Sequence, residues 1–235
     1  MSIKVDQLTK RYGTQLALDG VTFETQRHSI VGFLGPNGAG KSTTMKILAG
    51  LLPDSAGTYE IADIDVKKKP LQAKKEIGFL SENNPLYADM YVTELIDYEA
   101  NTHRIANKSE RMEAVIRQTG LLEVQHKKIA QLSKGYRQRV GLALCMIHNP
   151  KVLLLDEPTA GLDPNQIIEI RALIKELGRE KTVLLSTHLL QEVEAICDEV
   201  IILHLGKIRD HFRVADMATK YPGQSLEEIF VRLTK

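Results

Sequence analysis

Apolar and polar positions alternate along Val21-Thr22-Phe23-Glu24-Thr25, and an apolar run from Ser29 to Leu34 ends in a glycine-rich turn. The first pattern predicts a strand with one covered face, and the second a short strand feeding a loop. A helix is predicted from about Lys41, with Met45, Ile47, Leu48 and Ala49 at mixed three- and four-residue spacings and Gly50 and Pro53 as its stop. The texture then changes. After the turn Glu82-Asn83-Asn84-Pro85, stretches from about Val92 to Ile105 and Ser109 to Gly120 look helical and hold no convincing strand. A third helix over about Tyr136 to Ile147 aligns Val140, Ala143, Leu144 and Ile147 on one face. Together these predict a helical insertion spanning approximately residues 84–148. Beyond it, Val152-Leu153-Leu154-Leu155, Val183-Leu184-Leu185 and Val200-Ile201-Ile202-Leu203 are short apolar runs without alternation, as in a sheet covered on both faces. Helices over about Pro164 to Leu177 and Leu189 to Ile196 separate them, which predicts a parallel α/β arrangement. The chain shows no internal repeat and no low-complexity segment.

At 235 residues, 43% hydrophobic and 26% charged, the chain has ordinary globular composition and room for one large domain or a domain carrying an inserted subdomain. Its 31 basic and 30 acidic residues leave a formal charge of +1, which disfavours a strongly basic nucleic-acid binder. Cys145 and Cys197 belong to no C-x-x-C pair or metal-ligand cluster, so a reducing, cytosolic setting is expected. The opening Met1-Ser2-Ile3-Lys4-Val5-Asp6 lacks the pattern of a signal peptide, and no window approaches the roughly 18 apolar residues of a spanning helix. The expectation is a chain that does not cross a membrane by itself but is free to dock on one that does.

Gly35-Pro36-Asn37-Gly38-Ala39-Gly40-Lys41-Ser42, followed by Thr43, satisfies G-x-x-x-x-G-K-[ST] between a predicted strand and a predicted helix. Glycines let the backbone curl around an anion, and the free amides and dipole of the helix start favour phosphate. Lys41 supplies a mobile positive charge for the outer phosphates, and Ser42 a hydroxyl for Mg²⁺. A plain glycine turn with an exposed lysine is much the weaker explanation of a complete pattern in this context.

Asp156 and Glu157 end an apolar strand, where open parallel sheets place their ligand crevice. Alone, the pair would be a strand end meeting solvent. With a phosphate loop upstream, Asp156 is expected to hold Mg²⁺ through water, and Glu157 to orient and deprotonate the attacking water. A third element, Leu132-Ser133-Lys134-Gly135-Tyr136-Arg137-Gln138-Arg139, opens a helix with a hydroxyl residue and a glycine. By itself it reads as a helix cap.

In combination that run resembles the signature motif of the ATP-binding-cassette (ABC) ATPases, and it stands 23 residues before Asp156, in the family's order. The resemblance covers nearly the whole chain: Lys10-Arg11-Tyr12-Gly13, the phosphate loop, the signature, the acidic pair, Ala160-Gly161-Leu162-Asp163 and Ser186-Thr187-His188. It implies a single cassette domain over residues 1–235, with a P-loop NTPase core built on a mainly parallel sheet, an N-terminal antiparallel β portion and the helical subdomain. It also implies binding of ATP with Mg²⁺ and hydrolysis to ADP and phosphate. Tyr12 looks like the aromatic residue that stacks on adenine, although an aromatic at a strand end is often only packing. Ser133 and Gly135 would contact ATP held by an opposing subunit, which implies a head-to-tail dimer with two composite sites. Asp163 looks like the acidic residue that communicates across that dimer, while Gly161 and Pro164 serve equally well as turn and helix-start punctuation. His188 resembles the histidine that senses the terminal phosphate.

Two places depart from the family pattern. Glu82 in Ile77-Gly78-Phe79-Leu80-Ser81-Glu82 stands where a glutamine usually links the nucleotide site to the membrane partner; its carboxylate can approach Mg²⁺ and changes the local electrostatics. Lys134 and Tyr136 replace the commonest glycine and glutamine of the signature. These variants, with Asn83-Asn84-Pro85-Leu86-Tyr87 and Leu226-Glu227-Glu228-Ile229-Phe230, are similar to the exporter branch that includes gliding-motility-associated ATPase subunits. The expected function is a peripheral ATPase at the cytoplasmic face of the cell membrane. It would energise a separate integral membrane permease as a homodimer or beside a related cassette, with no nucleic-acid partner. The alternative from another class is a soluble ABC ATPase acting on nucleic acid or ribosomes; the chain lacks paired cassettes, a long coiled-coil insertion and zinc cysteines.

Overall fold

The computed structural model describes residues 2–235. In chain order its elements are β1 (Ile3–Tyr12), β2 (Gln15–Glu24), β3 (Ile30–Leu34), α1 (Lys41–Leu48), β4 (Ala56–Ile61), β5 (Ile64–Asp65), α2 (Pro70–Lys75) and β6 (Ile77–Leu80). There follow α3 (Val92–Thr102), α4 (Lys108–Gln118), α5 (Lys134–Met146), β7 (Val152–Asp156), α6 (Pro164–Gly178) and β8 (Thr182–Thr187). The chain ends with α7 (Leu190–Ile196), β9 (Glu199–His204), β10 (Lys207–Arg213), α8 (Met217–Lys220) and α9 (Leu226–Thr234).

The strands form two sheets, an antiparallel one in the order β2-β1-β4-β5 and a six-stranded one in the order β10-β9-β3-β8-β7-β6. In the larger sheet only the β9–β10 edge is antiparallel. The unalternating apolar runs have a direct cause: successive side chains along a strand point to opposite faces, and here each face has its own core. Ile30, Leu34, Leu153, Leu155, Val183 and Leu185 pack with the helices α3 to α7 and α9, whereas Val31, Phe33, Val152, Leu154 and Leu184 pack with α1 and the antiparallel sheet. Three helices, α3, α4 and α5, stand between β6 and β7, and α5 packs back onto the sheet.

The helices expected from sequence are present, with ends that differ by at most three residues for local reasons, whereas α2, α8 and α9 were not expected. α3 stops at Thr102 because Arg104 turns into the left-handed region at φ 53°. α5 begins at Lys134 rather than Tyr136 because Ser133 caps it, accepting a hydrogen bond from the Tyr136 N–H at 3.3 Å. Several strands gave no sequence signal. β1 hides its alternation behind an irregularity at Gln7, a non-glycine residue at φ 51°. β6 is four residues long with Gly78 at its centre. Gly78 allows α5 to lie close: a Cβ there would stand 2.3 Å from the Cys145 carbonyl oxygen. Cys145 and Cys197 are free and buried, and burial pushes the Cys145 thiol up to about 12. Among the described residues, no helix is long and apolar enough to cross a membrane.

Candidate active site

The site is built where the carboxyl ends of β3, β7 and β8 open into loops. Between β3 and α1 the chain turns through Gly38 at φ 79° and Gly40 at φ 111°, conformations that a side chain would strain. Space is also short, since a Cβ on Gly40 would meet Leu18 Cδ2 at 2.6 Å and the Ala17 carbonyl oxygen at 2.9 Å. α1 then starts with no side-chain cap and no acidic residue in its first turn. Its first amides and the positive end of its dipole are therefore left for an anion. Lys41, 6% exposed, folds back: its Nζ donates to the carbonyls of Gly35 at 2.8 Å and Pro36 at 3.3 Å and lies 3.6 Å from Glu157 Oε1.

Asp156 ends β7 almost wholly buried, and its Oδ1 accepts hydrogen bonds from Ser42 Oγ at 3.0 Å and Ser186 Oγ at 2.5 Å. Two serines from different elements thus hold one carboxylate beside the phosphate loop. Glu157 follows at φ 51°, a sparsely populated conformation for its residue type. Its N–H donates to Ser186 Oγ at 3.1 Å and to the Ser186 carbonyl at 3.2 Å, and its Oε2 lies 2.9 Å from His188 Nδ1.

Tyr12, Asn37, Gly38, Gly40, Lys41, Ser42, Thr43, Glu82, Glu157 and His188 line one cleft of about 600 Å³. Gly35, Pro36 and Ala39 stand behind them, the first two as acceptors for Lys41 and Ala39 as a buried packing residue. Tyr12 closes β1 with 47% of its surface exposed, and Lys10 Nζ lies 5.1 Å from its ring centroid. Three residues are not brought to this cleft. Ser133 and Asp163 are exposed N-caps, of α5 and α6, and Asp163 Oδ1 accepts from the Gln166 N–H at 3.0 Å. Gly135 is buried against the Gln166 side chain, which a Cβ would meet at 2.7 Å.

Other residues that build or line the site carry little or no local signal in the sequence. Ser186 orients Asp156, and the only trace of it was its place beside His188. Gln15, Ala17 and the β9–β10 tip, Leu205-Gly206, also line the cleft. That tip arrives from a distant part of the chain, the Gly206 N–H donating to the Ala39 carbonyl at 2.9 Å, and no local pattern announces it. As a donor set, the Ser42 hydroxyl and Asp156 carboxylate are oxygens suited to a hard cation that shares its ligands with phosphate and water. No cluster of three His, Cys, Asp or Glu residues among those described is placed to hold a metal on its own.

Residues 18–160 match the ABC transporter family. The chain belongs to that family. It is 39% identical over 216 residues to an uncharacterized ABC transporter ATP-binding protein of Bacillus subtilis (strain 168), covering 91% of this chain and 70% of that one. To the bacitracin transport ATP-binding protein BcrA of Bacillus licheniformis it is 38% identical, covering 88% of this chain and 68% of that one. Among solved structures, an ATP-binding subunit of an ABC transporter superposes with a TM-score of 0.89 at 30% identity over 100% of both chains. A dimeric bacterial ABC transporter cassette superposes with a TM-score of 0.80 at 26% identity over 90% of this chain and 98% of that one. The fold is the P-loop NTPase fold of these cassettes. The chain is a transporter's ATP-binding subunit and an ATPase, from a family whose subunits dimerise and work with membrane permeases.

Proposed function

We propose that this chain energises an exporter as a peripheral subunit at the cytoplasmic face of the cell membrane, and that its site residues act as follows. The single observation that carries the catalytic reading is the pairing of Glu157 with His188 at 2.9 Å, with Lys41 3.6 Å from the same carboxylate, at the wall of the phosphate cleft. The α1 amides and Lys41 bind the phosphates, Lys41 exchanging its two carbonyl acceptors for phosphate oxygens. Ser42 and Asp156 hold Mg²⁺, with Glu82 facing the same space; when bound, the ion neutralises phosphate charge. Glu157 orients the attacking water and accepts its proton, and His188 fixes the carboxylate and senses the terminal phosphate. Tyr12 stacks on adenine.

Ser133, Gly135 and Asp163 act in a head-to-tail dimer, with an identical or a related cassette. Their position outside the chain's own phosphate cleft, at the starts of α5 and α6 with Ser133 and Asp163 exposed, supports this reading. The helical segment over about 84–148 is the proposed subdomain that meets the permease. Between it and the sheet, Leu51, Phe79, Leu86 and Leu144 line a groove of about 430 Å³, bordered by Lys46 and Glu99. The exporter assignment rests on Glu82, Lys134, Tyr136, the Asn83–Tyr87 segment and the Leu226–Phe230 run, and the bacitracin transport relative agrees with a transport role.

Glu157→Gln tests the chemistry. It keeps shape and hydrogen-bonding reach while removing the base, so turnover should fall at least about 100-fold while ATP-bound dimers accumulate, seen by size-exclusion chromatography with ATP and Mg²⁺. Turnover at the wild-type rate would remove Glu157 from this role. Affinity capture from gently solubilised native membranes tests the assembly: a polytopic permease recovered in stoichiometric amount supports it, and ribosomal or nucleic-acid partners without one would replace it with the soluble-ATPase reading.

A further inference from the structure

The loop leaving Glu157 is tied to the rest of the molecule by a residue that none of the roles above uses. Glu192, in the first turn of α7, is 1% exposed, and its Oε1 accepts a hydrogen bond from the Thr159 hydroxyl. Its Oε2 has no hydrogen-bond partner. Arg171 of α6 approaches Oε1 only to 3.9 Å through Nε, an atom that likewise lacks a partner. A carboxylate taken out of water with so little compensation is expensive, and an apolar side chain would serve packing better. A carboxylate so placed calls for a use.

The neighbourhood supplies one. Thr159 lies two residues after Glu157, and Glu192 lies four after His188, so the Thr159–Glu192 bond is a second tie between the two segments that the Glu157–His188 contact already joins. Glu157 sits at φ 51°, and such a conformation persists only where surrounding contacts over-determine it. Ser186 fixes the turn on its entry side through the Glu157 N–H, and the Ala160 N–H closes it on the Glu157 carbonyl at 3.1 Å. The exit side is held by Thr159, buried at 3% exposure, and through it by Glu192.

We propose that Glu192 is a positioning residue for ATP hydrolysis: through the Thr159 hydroxyl it holds the strained Glu157 turn in register with His188. The proposal rests on the catalytic reading of Glu157 and His188. Removing the tie lets Glu157 relax away from the water it orients, while the phosphate loop keeps its backbone and Lys41 its hydrogen bonds to the Gly35 and Pro36 carbonyls.

The test is steady-state ATPase kinetics of the full chain with Mg²⁺, at a temperature where thermal melts show every variant folded. Thr159→Val keeps the side-chain shape and removes only the donor; it should lower kcat about tenfold or more with the KM for ATP within about threefold of wild type. Thr159→Ser restores the donor and should recover kcat to within about threefold. Glu192→Ala should match Thr159→Val, and the double variant should be no slower than the worse single one, since both break one tie. Because Glu192→Ala also exposes Arg171 to an empty site and risks misfolding, Thr159→Val and Thr159→Ser carry the decision. A Thr159→Val enzyme with wild-type kcat, or a Thr159→Ser enzyme as slow as Thr159→Val, overturns the proposal. Glu157→Gln assayed alongside separates the two readings: if it turns over normally the catalytic reading falls, and if it is dead while Thr159→Val is not, only the role of Glu192 falls.

Discussion

Lys41 shows how one side chain can be stored and then used. Buried at 6% exposure, it spends its hydrogen bonds on two carbonyls of its own loop, so its charge is compensated without a ligand and is free to move to phosphate. Lys41→Ala should therefore raise the Kd for ATP at least about tenfold, read by equilibrium titration, in contrast to Glu157→Gln, which should leave ATP affinity intact. His148 is a different residue-scale case, outside the cleft. Its Nε2 bonds the Ile77 carbonyl at 2.9 Å and its ring stacks on His103 at 4.0 Å. Burial, then the neighbouring His103, Lys181 and Arg111, push its pKa down from 6.5 to about 4. As pH falls below 6.5 the unfolded chain takes up a proton that folded His148 refuses, so stability drops across the window from 6.5 to about 4. Tm measured from pH 7 to 5 should fall more steeply for wild type than for His148→Gln, which keeps a donor for Ile77 and cannot charge.

At the scale of elements, the six-stranded sheet holds the site because its central strands are packed from both sides. Leu154 on β7 is fully buried in the core toward α1, two residues before Asp156. Leu154→Ala should cost about 2–5 kcal/mol in chemical unfolding, through lost burial and the cavity left behind. Gly78 works at the contact of β6 with α5, where a Cβ would stand 2.3 Å from the Cys145 carbonyl oxygen and 2.7 Å from Leu153 Cδ2. Gly78→Ala should push α5 off the sheet and cost about 1–3 kcal/mol. Since α5 carries Ser133 and Gly135 at its start, the same change should weaken ATP-driven dimerisation in the proposed assembly.

At the scale of the whole molecule, the cleft and the groove beneath the helical segment are joined by one short stretch. Glu82 lines the nucleotide cleft, and Asn84, Pro85 and Leu86 line the groove. The two linings are thus adjacent in sequence, Ser81 in the groove beside Glu82 in the cleft, with Asn84 Nδ2 donating to the Arg137 carbonyl of α5 at 3.1 Å. Replacing Leu86 with Asp should abolish transport with the permease while leaving the Kd for ATP within about threefold of wild type. Full coupling in that variant would count against the groove as the docking surface.

Much of this was legible in the chain because its information is local. The phosphate loop, the acidic pair and the helix caps are set by glycines, charges and hydroxyls within a few residues of one another, and the buried strands by unbroken apolar runs. β1 and β6 were not legible, since a bulge broke the alternation of one and the other is four residues around a glycine. Contacts between distant segments were equally hidden. Ser186 on Asp156, the Leu205-Gly206 tip at the cleft, and Thr159 on Glu192 each join residues whose types are unremarkable in their own surroundings. The order of residues was enough to place the charged groups, the hydroxyls and the glycine-rich turn proposed to bind phosphate, because backbone freedom and side-chain chemistry are properties of single residues and their neighbours. Only the tertiary structure decided how those groups are held, because the sheet order that sets β3 between β9 and β8, and β8 beside β7, is a product of packing across the two cores rather than of any one segment.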